Sequence, residues 1–223
     1  MGRLITSRDN EKLKLVRKLH ERRWREKLGL FFVEGEDGVE AATAEPAELL
    51  VAGENVAPEL LAEVSTAAHP PRVIGVYRRA DLPAADLRPV ALELWHVADP
   101  GNLGTLIRNA DAFGASVALS AGCADPTGPK ALRASAGAIW RVPLLYRVNT
   151  LKWRRVALVA HGGQPLPDLD LRGETTFLLG AERAGLPEDV PRDIEATIPI
   201  AAESLNVATA GAIALYEWRR HNP

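Results

Sequence analysis

The sequence predicts an α/β protein in which a small N-terminal α/β unit precedes a larger domain built on a parallel sheet. Apolar runs of strand length fall at 91–98, 116–121, 142–148, 156–160, 175–180 and 194–200. They are too continuous for strands with one wet face, and strands covered on both faces belong to parallel sheets. Most are separated by stretches of helix length, notably 103–113, 130–140 and 204–220, as crossover connections require. Upstream the alternation is shorter, with strand 30–34, helix 37–43, strand 47–52, helix 58–65 and strand 72–77. Between the two parts, the stretch from Asp81 to Pro89 holds two prolines and little periodicity, which marks a linker. The expected division is residues 1–80, a linker over 81–90 and a second domain over 91–223.

Near the start, Ser7-Arg8-Asp9-Asn10 precedes Leu13, Val16 and Leu19, the pattern of a capped helix with a 3.6-residue apolar stripe. The same region is basic. Residues 1–27 hold ten Lys/Arg against four Asp/Glu, a balance of +6 that leaves −8 for the rest of a chain of net charge −2. A basic segment on an acidic body can hold a polyanion by contacting phosphates and releasing counterions. The candidates are Arg8, Lys12, Lys14, Arg17, Lys18, Arg22, Arg23 and Arg25, with His20 and Trp24 interleaved, which favours a nucleic-acid reading. The plainer reading is a solvated helix face, and charge alone favours it.

Hydrophobic content of 47% and charged content of 25% match an ordinary globular protein with ample core. The single cysteine, Cys123, rules out an internal disulfide framework and fits a reducing compartment. No apolar run approaches the roughly 20 residues that span a bilayer, and the N-terminus lacks the apolar core of a secretory signal. A cytoplasmic protein without membrane contact is expected. No metal site is expected either.

Three stretches carry candidate chemistry. The first runs from Asp99 through Pro-Gly-Asn-Leu-Gly-Thr-Leu-Ile-Arg to Gly114. Asn102 is well placed to cap a helix and Gly114 to end it, with Leu103, Leu106, Ile107, Ala110 and Phe113 on one face. Arg108 lies off that stripe, near Thr105 and Asp111, on a helix that begins where a strand ends, and ligands of open α/β sheets gather at such ends. An arginine there can grip a phosphate or polarise a hydroxyl; the plainer alternative is a surface pair with Asp111. The second is Leu178-Leu-Gly-Ala-Glu-Arg-Ala-Gly-Leu-Pro187. Gly180 ends a strand where a missing side chain permits close backbone approach to a ligand, and Glu182 follows at the strand's mouth. The third runs from Ile198-Pro-Ile through Glu-Ser-Leu-Asn to Trp218. Ser204 is placed to cap the last helix and Asn206 to lie in its first turn. Val207, Ala210, Gly211, Ala214 and Trp218 make a stripe of mostly small residues that lets another helix pack closely and is equally consistent with packing on the chain's own sheet.

Each signal is weak alone, but their order is specific. Asp-Pro-Gly-Asn-Leu-Gly-Thr-Leu-Ile-Arg108, then Leu-Gly-Ala-Glu182, then Ile-Pro-Ile200 with Ser-Leu-Asn-Val-Ala208 resemble the three motifs of the SpoU (TrmH) family of SPOUT methyltransferases. Lys130-Ala-Leu-Arg-Ala-Ser-Ala-Gly137 is similar to its ribosomal-RNA, thiostrepton-resistance-like branch. Ile5-Thr-Ser-Arg-Asp-Asn10 and Phe32-Val-Glu-Gly-Glu36 look like that branch's N-terminal domain.

The resemblance implies a trefoil-knotted, parallel-sheet catalytic domain that binds S-adenosylmethionine and forms a homodimer with a composite site. It also implies a small N-terminal α/β domain of the L30e type that binds the RNA substrate. Carried over by position, Arg108, Asn102, Glu182, Ser204 and Asn206 fall on the family's functional residues. Leu179, Gly180, Ile198, Ile200 and Leu205 fall where the cofactor is held, largely by backbone groups. The implied activity is methylation of a ribose 2'-hydroxyl, with ribosomal RNA favoured over transfer RNA. Arg108 is expected to be a charged donor, with Glu182 orienting it, because a guanidinium does not give up its proton in proteins. A catalytically silent RNA-binding protein is one rival. A nucleotide-dependent oxidoreductase is another, disfavoured by the missing Gly-x-Gly-x-x-Gly. A cysteine-dependent base methyltransferase would need a placed nucleophile, and Cys123, in a Gly-Cys-Ala-Asp-Pro turn, is more simply incidental.

Overall fold

A computed structural model describes residues 4–83, 86–148 and 152–223; residues 84–85 of the expected linker lie outside these. The chain is organised around two sheets. The first comprises β1 (Leu30–Glu34), β2 (Glu48–Val51) and β3 (Val73–Arg78), antiparallel in the order β1-β3-β2. Helices α1 (Glu11–Leu19) and α4 (Pro58–Val64) pack on it, while α2 (Arg22–Leu28) and α3 (Glu36–Glu40) flank β1. Asn10 caps α1 by accepting from the Lys12 amide, and Leu13, Val16 and Leu19 are its buried stripe, as its pattern predicts.

The alternation of side chains along β1 divides its residues between two cores. Phe32 joins Leu13, Val16, Leu61 and Ile74 in the core under α1 and α4. Phe31 and Val33 face the other way, into the larger core of the second sheet. There Phe31, Tyr77 and Trp140 form an aromatic cluster, with ring centroids 4.8 to 6.0 Å apart. The N-terminal sheet is therefore packed onto the second part of the chain through a continuous apolar contact.

The second sheet has β4 (Val90–Leu94), β5 (Ser116–Leu119), β6 (Leu144–Leu145), β7 (Arg154–Leu158), β8 (Gln164–Pro165), β9 (Thr175–Leu179) and β10 (Ile194–Thr197). Every pairing is parallel, in the order β6-β5-β4-β9-β7-β10-β8. The α/β class and parallel sheet read from the sequence are what the chain adopts. Helices α5 (Pro100–Phe113) and α7 (Val207–His221) pack together on one face of the sheet, and α6 (Pro129–Ser135) packs against α5. Gly211 explains the close approach of α7: a Cβ there would stand 2.5 Å from Leu106 and 3.3 Å from Leu179. The small-residue stripe of α7 thus fits it to its own domain's α5 and sheet.

Strand runs read from the sequence overshoot the observed strands at their ends, most at 142–148, where only Leu144–Leu145 pair. Burial makes a run apolar, but only backbone pairing makes it a strand.

Candidate functional site

Three parallel strands, β7, β9 and β10, end side by side, and the segments leaving them enclose a cavity of about 250 Å³. Leu158, Val159 and Ala160 come from the end of β7, Leu179 to Arg183 and Gly185 from that of β9, and Ile198 and Ile200 from beyond β10. Ser204 and Leu205, just before α7, and Val207 and Ala210, in its first turn, close it. All five residues expected at a cofactor, Leu179, Gly180, Ile198, Ile200 and Leu205, line this one space, as do Glu182 and Ser204. Sequence reading missed Leu158 to Ala160, although the run at 156–160 signalled a strand ending there.

A polar cluster stands beside the cavity. Asn102, on the first turn of α5, donates through Nδ2 to Glu182 at 2.7 Å, and Asn206 donates through its Nδ2 to Asn102 Oδ1 at 2.9 Å. These three residues are 80 and 104 positions apart in sequence. Parallel topology brings their segments to one edge. Glu182 retains lone pairs for a ligand, since a carboxylate has about four acceptor sites.

Several expectations need correction. Asn102 is not the cap of α5: Asp99 is, accepting from the Asn102 amide at 2.8 Å, with Pro100 as the first helical residue. Proline favours that position because the missing N–H would have no intrahelical partner. The Asn102 side chain is thereby freed for Glu182. The Asn102 amide and the Lys130 ammonium hold the Asp99 carboxyl below its ordinary value. Ser204 is not the cap of α7 either. That helix begins at Val207, and Asn206 Oδ1 accepts from the amides of Ala208 and Thr209. One amide group therefore caps a helix with its oxygen and joins the cluster with its nitrogen.

Glu182 meets Asn102, and no bond between Glu182 and Arg108 exists among the described residues. Arg108 lies in the second half of α5, exposed, and it does not line the cavity. Asp111, the plainer partner, is taken by Arg141 at 2.7 Å.

Gly180 is required for a second reason besides the expected one. A Cβ there would overlap the backbone of Gly185, which bridges to Ala181 across the tight turn that walls the cavity. Gly180→Ala must open that turn. It is expected to cost about 1–3 kcal/mol, as overpacking does, and to weaken ligand binding in the cavity. Thermal unfolding together with calorimetric titration of the ligand checks this, and wild-type values in both would refute it.

The basic N-terminal residues divide into two groups. Arg8, Lys12, Lys14, Arg17, Arg22 and Arg23 are exposed or half-buried and engaged in surface pairs with Glu63, Glu48, Glu11, Glu26 and Glu21. Lys18 sits near the Trp24 ring. Arg25 must be removed from the set of phosphate contacts. It is 4% exposed, donates to Asp125 at 2.8 Å and also to the carbonyls of Leu19 and His20. Burial pushes the Asp125 carboxyl up, but Arg79, the Thr127 hydroxyl and amide, and Arg25 together hold it below its ordinary value.

Residues 89–216 match the model of the SpoU rRNA Methylase family, and residues 10–80 match an MRM3-like substrate binding domain. The chain is 33% identical to the 23S rRNA (guanosine(2553)-2'-O)-methyltransferase RlmP of Bacillus subtilis, over 96% of this chain and 98% of that protein. Among solved structures it resembles the AdoMet-bound rRNA methyltransferase of Sinorhizobium meliloti, at 28% identity and a TM-score of 0.86 over 98% of both chains. It also resembles the SpoU methyltransferase AviRb of Streptomyces viridochromogenes in complex with AdoMet, at 26% identity and a TM-score of 0.82 over 96% of this chain and 98% of that one.

Proposed function

Since the chain belongs to the SpoU rRNA methylase family, we propose that it transfers a methyl group from S-adenosylmethionine to a ribose 2'-hydroxyl of ribosomal RNA. The observation that carries this is the convergence of Leu179, Gly180, Ile198, Ile200 and Leu205 on one cavity beside the Asn102–Glu182–Asn206 cluster. The residues fit the cofactor. Aliphatic side chains and a glycine turn suit an adenine ring and the methylene groups around the sulfur, and no phosphate-binding loop is needed because the cofactor carries no phosphate. When bound, S-adenosylmethionine supplies an electrophilic methyl group on a sulfonium sulfur.

The chain's own residues do the rest. The cavity walls exclude water from the ligand, Glu182 accepts from a ligand hydroxyl or amine, and Asn102 fixes the carboxylate. A ribose hydroxyl is a poor nucleophile, so its oxygen needs stabilising as negative charge develops. Arg108 supplies that charge, or holds the adjoining phosphate, as a permanent donor. It serves the cavity of a second copy in a homodimer. Its exposure and its absence from the lining of its own chain's cavity support this, as do the exposed Tyr216 and half-buried Phe113 nearby on α7 and α5, 6.5 Å apart. Ser204, beside Leu205 in the cavity wall, completes the polar set. The trefoil knot of the catalytic domain and a cytoplasmic location belong to the same proposal. No helix among the described residues is long and apolar enough to cross a membrane.

Labelled methyl transfer into separated ribosomal and transfer RNAs, followed by mapping of 2'-O-methyl positions, tests the reading. Label is expected on ribose in ribosomal RNA. Label confined to bases, or to transfer RNA, would overturn it.

A further inference from the structure

We propose that the surface centred on Trp24 is a docking platform for a single-stranded stretch of the RNA substrate, with Trp24 stacking on a base and Lys18, Arg23 and Lys27 holding the flanking phosphates. This rests on the assignment of an RNA substrate and names the part of the chain that engages it outside the cavity. The ammonium groups of Lys18 and Lys27 stand 5.6 and 5.0 Å from the indole centroid, and the Arg23 guanidinium stands 5.6 Å away. Three cations around one half-buried ring repel each other, while each cation–ring attraction is worth only about 0.5–1 kcal/mol at an exposed site. Arg23 has Glu21 as a partner. Among the described residues, Lys18 and Lys27 have no carboxylate within ion-pair distance. A polyanion relieves that repulsion, and a base can replace a cation on the ring face at a similar or larger gain, because base–aromatic stacking is worth roughly 1–3 kcal/mol.

The arrangement is built by buried contacts. Arg25, on the opposite side of α2 from solvent, donates to the carbonyls of Leu19 and His20 at the end of α1. This fixes the bend that brings Lys18 of α1 to Trp24 of α2. The same guanidinium binds Asp125, and Arg22 donates to the Cys123 carbonyl at 3.2 Å. These anchors seat α2 on the loop that leaves β5. That loop is itself tied to the carboxyl end of β4, where the Ser120 amide donates to the Leu94 carbonyl and the Ala124 amide to that of Val97. The platform therefore stands at the same edge of the parallel sheet as Asn102, Glu182 and Asn206. A strand held by its phosphates there can continue to the cavity.

The test compares wild type with Trp24→Ala, Trp24→Phe and the Lys18→Gln/Lys27→Gln double variant in the full chain. Binding of a short fluorescein-labelled single-stranded oligoribonucleotide, a blunt RNA duplex of the same length and polyglutamate is followed by anisotropy across a salt series. S-adenosylmethionine affinity and melting temperature report folding. Trp24→Ala is expected to weaken single-strand binding about 5- to 150-fold, from the stacking range above, with little effect on the duplex, and Trp24→Phe to keep most of the affinity. The double lysine variant is expected to flatten the salt dependence for the single strand by about 1.4 in log–log slope, or 0.7 per lost phosphate contact. Wild-type affinity in folded Trp24→Ala, equal losses on single strand and duplex, or polyglutamate binding with the same dependence on Trp24 would each overturn the platform. A wild-type chain that binds single strands through Trp24 but transfers no methyl group would overturn the methyltransferase reading and leave the platform standing.

Discussion

Arg108→Ala and Arg108→Lys are both expected to lower methyl transfer by at least about a hundredfold, the scale on which removal of one preorganised charged donor acts, while S-adenosylmethionine binds with unchanged affinity. The second half follows from the role proposed for Arg108, which meets the ribose oxygen or its phosphate rather than the cofactor, and it does not line the cofactor cavity of its own chain either. Lysine is not a substitute: it places a point charge where a planar fork of donors is needed. Single-turnover methylation and calorimetric titration of the cofactor give the two readouts. Complementation then decides which cavity Arg108 serves. Co-expressing Arg108→Ala with Ile198→Arg, which fills the cavity, creates mixed dimers in which one intact cavity faces one intact arginine. About a quarter of all sites should then work, given random pairing of two-fold dimers. If Arg108 acts within its own chain, no mixed dimer has a working site and no activity returns. Normal turnover by either Arg108 variant would remove the residue from the mechanism.

The second large effect concerns stability. Asp125→Ala leaves the Arg25 guanidinium buried without its carboxylate partner. Breaking one side of such a pair costs about 3–5 kcal/mol, more than the intact pair contributes. For a chain of this size that corresponds to a fall in melting temperature of roughly 6–20 °C, at about 2–4 °C per kcal/mol. The double variant Arg25→Met/Asp125→Leu is expected to recover part of the loss, since it removes the stranded Arg25 charge but leaves Arg79 without its carboxylate. The pH dependence has a defined sign. Asp125 is held below its ordinary value, so its contribution is present above the unfolded carboxylate value of about 4 and is lost as pH falls through the lower folded value. The difference between wild type and Asp125→Ala should therefore narrow in acid and stay constant from neutral pH upward. Denaturant unfolding across pH measures this, and a penalty that grows on acidification would refute it.

Arg25 also shows where sequence reading fails. Within the basic run of residues 1–27 it is indistinguishable from Arg22 or Arg23. Its fate depends on Asp125, 100 residues away, which no local pattern reveals. The Gly180 reading was incomplete for a different, local reason. A glycine at a strand end announces close approach, but what approaches is the turn at Gly185 as well as the cavity. The caps of α5 and α7 were displaced by three and two residues from the positions expected. Asp, Asn and Ser are all good caps, and only backbone geometry chooses among neighbours.

What the sequence determined by itself is the α/β class, the parallel sheet and part of the cavity lining, Leu179, Gly180, Ile198, Ile200 and Leu205. These depend on the periodicity of burial along each strand and on three short motifs whose order is specific, both of which are local and survive in one dimension. Tertiary structure alone decided that Asn102 bonds Glu182 and Asn206, that Arg25 is structural, and that Arg108 does not line its own chain's cavity. Those outcomes depend on contacts between segments 80 to 104 residues apart. A parallel sheet sets such contacts by which strands lie side by side, and the order of strands in the sheet differs from their order in the chain.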